Sequence, residues 1–126
     1  MIVFDTEDDS AELLSAGKSG FGKTVTQIAA ITDQGKRFHN RGNPLEFLRW
    51  CHEVGDDDVW AFNTAYDIGN LCNQGSKLHL YDFDLTLVKG RFIKGKIEGL
   101  NFYDVHNLSG NGSSVKSLGA AVGLKK

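Results

Sequence analysis

The sequence of 126 residues predicts a single α/β domain built on a mixed β-sheet. Three observations support this. Short apolar segments are bounded by acidic and glycine-rich stretches, one β-branched segment runs into a hairpin turn, and two stretches have helical spacing. The order is strand, hairpin, helix, strand, helix, which is typical of a mixed sheet with helices packed on it. A chain of this length supports one core, and the sequence contains no internal repeat.

The first half of the chain predicts an antiparallel start to this sheet. Residues 1–6 are apolar before the first acids and predict a central strand, whereas residues 8–23 are polar and glycine-rich and predict a long loop. Residues 24–32 are rich in β-branched side chains, which favour a strand. Residues 33–36 (DQGK) predict a hairpin turn into a strand at 37–39.

The remaining elements follow from capping residues and apolar spacing. Pro44 opens a predicted helix that ends before Gly55, and a strand at 59–62 leads into a helix from Ala65 to about Asn73. Two long segments, 78–88 and 92–105, predict an extended β-hairpin excursion broken at Lys89 and Gly90. A Gly/Ser loop at 107–114 and a short helix at 114–122 complete the prediction.

Composition limits the classes of protein. The chain is 40% hydrophobic and 24% charged, with no apolar run of membrane-spanning length and no signal-peptide pattern. This predicts an intracellular protein. Cys51 and Cys72 form no CxxC pair, so we expect reduced thiols and no zinc site.

Charge is distributed unevenly along the chain. Residues 1–84 contain seven Lys/Arg and fourteen Asp/Glu, a balance of -7, whereas residues 85–126 contain seven and two, a balance of +5. An acidic half that could hold metal ions, beside a basic half that could meet phosphates, suits an enzyme acting on nucleic acid.

Three carboxylates from two distant segments are the main candidates for a site. Asp5 and Glu7 are two residues apart after an apolar run, so in a strand they project from one face. Asp67 follows the apolar run at 59–62. If the two runs are neighbours in one sheet, the acids meet at one edge, and clustered carboxylates suit Mg²⁺ or Mn²⁺, the ions of phosphoryl transfer.

These segments resemble a nuclease family. The segment 3–7 (VFDTE) is similar to the first motif of the DEDD 3′→5′ exonucleases, and 62–67 (FNTAYD) to the second motif in the proofreading domains of family B DNA polymerases. The later segments 101–105 (NFYDV), 117–119 (SLG) and 123–125 (GLK) resemble the organellar, viral and protein-primed branch of that family. The resemblance spans nearly the whole chain.

The resemblance implies a fold and an activity. The fold would be RNase H-like, and the domain would hydrolyse the 3′-terminal phosphodiester of single-stranded DNA with two Mg²⁺ or Mn²⁺ ions. Asp5 would bridge the ions, and Glu7 and Asp67 would complete their ligands. Asn63 would position the terminal nucleotide, and Trp60 or Phe62 would support the site or stack on a base. A polymerase domain would belong to the parent protein, and its location would be a bacterial or phage-host cytoplasm or an organelle matrix.

The sequence departs from the family pattern at three points. Phe62 stands where close relatives often have His, and Asp8 where a small hydroxyl residue is common. A fourth carboxylate, with a Tyr four residues or a His five residues before it, is not found in a suitable place. We therefore expect a domain truncated before its last catalytic helix, or one completed by a partner chain. The isolated chain should then be weakly active or inactive as an exonuclease. An uncovered apolar strip of the sheet would then favour self-association.

Two basic segments are candidates for phosphate contacts. Residues 17–24 satisfy the P-loop pattern GxxxxGK followed by Ser or Thr, but about ten polar residues separate them from the first strand, and the segment after them favours a strand. Lys18 and Lys23 could still contact DNA from a loop. The segment 89–96 contributes four cations, of which Arg91, Lys94 and Lys96 would flank the bound strand.

Three classes of function therefore remain open. The first is a metal-dependent 3′→5′ exonuclease domain, and the second is a non-catalytic RNase H-like module that binds nucleic acid or a protein partner. The third is a small P-loop nucleotide-binding protein. The three differ in what they bind: divalent metal with DNA, DNA or protein alone, or ATP.

Overall fold

A seven-stranded mixed β-sheet forms the body of the protein. The structure is a computed structural model that describes residues 1–9, 17, 25–72 and 77–107. The strands are β1 (Ile2–Asp8), β2 (Val25–Thr32), β3 (Arg37–Asn40), β4 (Asp58–Ala61), β5 (Asp84–Val88), β6 (Arg91–Ile97) and β7 (Leu100–Asp104). The helices are α1 (Pro44–Val54) and α2 (Thr64–Leu71). The predicted mixed α/β class is confirmed.

The strand order is β3-β2-β1-β4-β7-β6-β5. The three central strands β1, β4 and β7 are parallel to one another, and the other pairs are antiparallel. Strand β1 continues to Asp8, two residues beyond its predicted end, because β2 pairs with it along its whole length. Pairing with β4 covers only Ile2 and Val3, so the later part of β1 faces the start of α2 instead.

Helix α1 begins and ends as the sequence predicts. The Asn43 side chain accepts a hydrogen bond from the Glu46 amide at 3.2 Å, and Pro44 occupies the first turn, where it costs no hydrogen bond. Gly55 ends the helix with φ +73°, a conformation that glycine adopts without steric cost. Helix α2 starts one residue earlier and ends two residues earlier than predicted.

The prediction for the second half of the sheet was partly wrong. Residues 80–82 form a 3₁₀ turn instead of an extended strand, and a second tight turn at Glu98 and Gly99 divides 92–105 into β6 and β7. Glu98 and Gly99 both have positive φ, as do Lys89 and Gly90 in the first turn. Two positive φ values give the twist that a two-residue hairpin requires. The turn returns β7 to the sheet centre, beside β4.

Both helices pack on the same face of the sheet. The main core joins Ile2 and Phe4 of β1 to Phe47 of α1 and Ile68 of α2, and these side chains are almost fully buried. The opposite face carries a smaller cluster around Val3, Ile31 and Val105. We call these the helix face and the open face.

Several expectations lie outside the described residues. The loop at 8–23, the Gly/Ser loop at 107–114 and the short helix at 114–122 fall almost entirely on segments that the structure does not describe. The same holds for the truncation and for the final helix, which stay predictions. Within the described ranges, no helix is long and apolar enough to cross a membrane.

Candidate functional site

The candidate site lies where the three parallel strands end. Strand β1 ends at Asp8, β4 at Ala61 and β7 at Asp104, and their carboxyl ends lie at the same edge of the sheet. In α/β sheets, ligands bind outside the carboxyl ends of parallel strands, where connections turn away and leave a crevice. Helix α2 starts at this edge, directly after β4.

Strand β1 presents Asp5 and Glu7 on the open face. Asp5 is only 8% exposed, whereas Glu7 is exposed. Both lie an even number of residues after Val3, which packs in the open-face cluster, so their side chains point to the same face as Val3. Thr6, between them, points to the helix face and is buried. The acid-Thr-acid sequence therefore places a hydroxyl against the helices while its neighbours point the other way.

Asp67 is held by Thr6. One of its carboxylate oxygens, Oδ1, accepts the Thr6 hydroxyl at 2.7 Å and the Thr6 backbone N–H at 3.3 Å. The Thr6 hydroxyl in turn accepts a hydrogen bond from Asn70 Nδ2 at 2.8 Å. All three side chains are buried. This network joins α2 to the strand that carries Asp5 and Glu7, and Tyr66 adds a hydrogen bond from its hydroxyl to Asp8.

Asp104 is a site residue to which the sequence analysis gave no role. Its Oδ2 accepts the first N–H of α2, from Thr64, at 3.0 Å, which replaces the missing side-chain cap of Asn63. Its Oδ1 accepts the His106 amide at 2.8 Å and lies 3.0 Å from His106 Nδ1. The signal in the sequence was an acid ending an alternating segment, but only the parallel pairing with β4 brings it to the site.

The three residues predicted to contact the nucleotide differ in exposure. Asn63 is exposed at the start of α2, next to Asp104. Trp60 and Phe62 are half-buried and pack against the open-face cluster. The Trp60 ring lies 4.7 Å from the Tyr103 ring, between centroids. The two aromatic residues thus pack on the open face of the sheet, while their roles at the site, including base stacking, stay predictions.

Three of the five predicted basic residues lie on β6, three places from β1 in the strand order. Lys94 and Lys96 belong to β6, and the Lys94 ammonium lies 5.8 Å from the centre of the Tyr103 ring, a cation–π contact. Arg91 donates a hydrogen bond to the His106 carbonyl at 3.3 Å, which connects the hairpin to the site edge. Lys18 and Lys23 lie outside the described residues.

The carboxylates suit a hard divalent cation in kind, because Asp and Glu oxygens are the ligands that Mg²⁺ and Mn²⁺ prefer. Across 1–9, 17, 25–72 and 77–107, however, the structure gathers no group of three or more His, Cys, Asp or Glu side chains that could hold a metal ion. The alternation of β1 gives the reason: Asp67 contacts Thr6 from the helix face, whereas Asp5 and Glu7 have the opposite orientation.

The cysteines are not part of a site. Cys51 is buried in α1, and Cys72 is half-buried where α2 ends. Burial raises the pKa of both thiols to about 12, with a further contribution from the charges of Asp56 and Asp82 respectively. Both thiols are therefore protonated near neutral pH and are poor nucleophiles.

The P-loop interpretation does not fit the fold. A P-loop opens a helix whose N-terminal N–H groups hold the phosphates. The segment that follows residues 17–24 is instead the strand β2, which begins at Val25 and pairs with β1. Of the P-loop-like segment itself, the structure describes only Gly17.

Comparison with known proteins supports the fold. The chain is similar to the family B DNA polymerase of the hyperthermophilic archaeon Pyrobaculum calidifontis, with a TM-score of 0.57 and 14% sequence identity. The match covers 87% of this chain and 16% of that polymerase. No protein-family model and no curated protein matches the sequence. The likeness shows a mixed α/β fold compatible with the RNase H-like architecture.

Proposed function

We propose that this chain is a metal-dependent 3′→5′ exonuclease domain of the proofreading type, acting on the 3′ end of single-stranded DNA. The observation that carries the proposal is the hydrogen bond between Asp67 and Thr6. It ties the acid of the second motif to the residue between the two acids of the first motif. The fold-level likeness to part of a family B DNA polymerase supports the same function.

The proposed chemistry assigns a role to each acid. Asp5, Glu7 and Asp67 would hold two Mg²⁺ or Mn²⁺ ions. The ions, when bound, would lower the pKa of the attacking water and stabilise charge on the departing 3′ oxygen. Bringing Glu7 and Asp67 to the same ions requires local adjustment at the edge of the sheet. Asn63, exposed at the start of α2, would position the terminal nucleotide.

We add Asp104 to the proposed site as a positioning residue. By accepting the Thr64 amide, it fixes the first turn of α2, and Asp67 lies in that turn. It therefore acts on Asp67 through the helix. In the parent protein, a polymerase domain would supply the 3′ end that this domain trims.

Calorimetry with Mn²⁺ tests the metal site. Asp5→Asn and Asp67→Asn should each weaken Mn²⁺ binding at least tenfold, because each replaces a charged ligand oxygen by a neutral amide. Asparagine at 67 can still accept the Thr6 hydrogen bond, so the fold is preserved. Asp57→Asn, an exposed acid before β4, is the matched control and should bind like the wild type. Equal Mn²⁺ binding by all four proteins would exclude the carboxylate site.

Hydrolysis of a 3′-labelled oligonucleotide tests the activity. Mn²⁺ should support release of single nucleotides from the 3′ end, EDTA should stop it, and Asp5→Asn should slow it on the order of 10²–10⁴-fold. A chain that binds single-stranded DNA equally well in EDTA and never shortens it would instead be the non-catalytic binding module.

A further inference from the structure

Strand β5 is an edge strand of the sheet, and its outer side carries exposed apolar side chains. Leu87 and Val88 are 56% and 54% exposed, and the preceding 3₁₀ turn adds Leu80 and Tyr81 at 53% and 81%. We call these four residues the edge patch. They are four of the six large exposed hydrophobic residues in the described part of the chain. Exposed apolar patches of this kind mark interaction sites.

Two of the features that commonly protect an edge strand, Lys and Pro, are absent from β5 itself. Natural edge strands often carry Lys, Pro or a bulge, each of which hinders pairing with another strand. The β5 sequence is DLTLV, with neither Lys nor Pro. The irregularity in the β5–β6 pair lies in β6, because Thr86 pairs with Lys94 and Leu87 with Phe92, so that Ile93 is skipped. Strand β5 itself is continuous. The strand therefore offers an unbroken row of backbone groups to a partner strand.

The sequence of β5 complements itself when two copies run antiparallel. Residues directly opposite each other in two paired strands lie on the same face of the sheet. When two copies of the five-residue strand overlap completely, the two-fold axis passes through its central residue, Thr86. Leu85 then opposes Leu87 of the partner subunit, so that two apolar pairs form on the helix face. The acidic end of each strand, with Asp84, meets the basic end of the other, with Lys89. Like-charged ends would meet if the strands ran parallel.

The apolar surface beside β5 continues this pairing surface on the helix face. Leu80, Leu85 and Leu87 line a groove with Ile68 of α2 and Phe92 of β6. Two copies joined along β5 would place their grooves side by side, with the leucines of each copy covering those of the other. The candidate site is at β1, four places away in the strand order, so pairing along β5 does not involve β1.

We propose that two copies of this chain associate through their β5 strands, antiparallel about Thr86, to form one continuous fourteen-stranded sheet. The partner is a second copy because Leu85 opposes Leu87, and the acidic end meets the basic end, when the strand meets itself. This inference concerns a surface apart from the proposed active site. It stands whether or not the chain is a nuclease.

Sedimentation equilibrium over a wide range of concentration tests the association. The wild type should show a reversible monomer–dimer equilibrium, and Leu87→Lys should raise its dissociation constant at least tenfold. Leu45→Lys changes an exposed leucine of α1 and should leave it unchanged. Asp84→Lys should also weaken the dimer, because two positively charged ends then meet. Adding Lys89→Asp in the same chain should restore the dimer, because each end then meets an end of opposite charge again. A monomer at every concentration would overturn the proposal.

A cysteine at the two-fold axis tests the register. Thr86→Cys should give a disulfide-linked dimer on mild oxidation, because directly opposed residues have the Cα separation that a disulfide requires. Thr26→Cys, an exposed position on β2, should not. Failure to cross-link, or a dimer unaffected by Leu87→Lys, would overturn the β5 interface. Loss of single-stranded DNA binding in Leu87→Lys with no change in oligomeric state would assign the patch to nucleic acid instead.

Discussion

At the scale of single residues, Thr6 connects the two segments of the candidate site. Its hydroxyl donates to Asp67 and accepts from Asn70, and its backbone N–H also donates to Asp67. Strand β4 pairs only with Ile2 and Val3 of β1, so it provides no carbonyl for the Thr6 N–H. The Asp67 carboxylate accepts this hydrogen bond instead. A small hydroxyl residue between two acids therefore has a structural role that a period-two pattern does not reveal.

Replacing Thr6 by valine tests this role. Valine keeps the β-branched shape but removes the hydroxyl, which leaves the buried Asn70 amide without this acceptor and takes one donor from Asp67. We expect a loss of about 1–3 kcal/mol in the free energy of unfolding, measured in urea. Thr6→Ser should retain most of the stability. The exposed Thr26→Val on β2 should change it by less than about 0.5 kcal/mol. Wild-type stability in Thr6→Val would show that the network is not stabilising.

At the scale of elements, glycines decide where the connections can run. The turn between β3 and α1 passes so close to the start of β2 that a Cβ on Gly42 would lie 2.4 Å from the Val25 carbonyl oxygen. Gly42 also has φ +91°. Gly35, in the β2–β3 hairpin, has a similar φ of +86° but no atom within 4 Å of a built Cβ. At Gly35 a side chain would meet only an unfavourable backbone conformation, whereas at Gly42 it would also clash with neighbouring backbone.

Alanine at each position should have different effects. Gly35→Ala has only the conformational cost, about 1–2 kcal/mol. Gly42→Ala adds a clash with backbone, for which overpacking costs of about 1–3 kcal/mol are typical, so it should destabilise the protein clearly more. Thermal unfolding of the two variants provides the comparison. Equal melting temperatures would mean that the β3–α1 turn moves freely away from β2.

At the scale of the whole molecule, charge is separated across the sheet. The acids at the candidate site lie on the central strand β1 and on α2, whereas Lys94 and Lys96 lie on β6, next to the edge strand β5. Within the described residues, the order of strands therefore separates these acids from the lysines of β6. On the proposed function, we expect a single strand of DNA with its 3′ end at β1 to run towards these cations.

The salt dependence of DNA binding tests this arrangement. The double variant Lys94→Gln and Lys96→Gln should bind single-stranded DNA more weakly in EDTA. The slope of log affinity against log salt should fall by about 0.7 for each phosphate contact removed. Lys36→Gln with Arg37→Gln removes two exposed cations at the opposite margin and is the matched control. Identical slopes in fluorescence anisotropy for both double variants would place the DNA elsewhere.

Much of the fold followed from local signals. Asn43, Pro44 and Gly55 define α1 because capping depends on a few neighbouring backbone groups, and the 33–36 turn follows from its own residues. The mixed α/β class followed from the order of such elements. The second half was harder, because Glu98 is not a typical residue for positive φ, and the β6–β7 turn therefore gave a weak signal.

The sequence by itself determined which residues are candidates at the site: two acids around Thr6 and a third acid after the apolar segment at 59–62. Spacing along a strand fixes the side to which a side chain points, so Asp5 and Glu7 share a face. Only the tertiary structure decided which groups meet. The parallel pairing of β4 and β7 brings Asp104 to the first turn of α2, and α2 brings Asp67 to Thr6. Such contacts join residues about forty and sixty positions apart. They depend on how complete strands align, which no local pattern encodes.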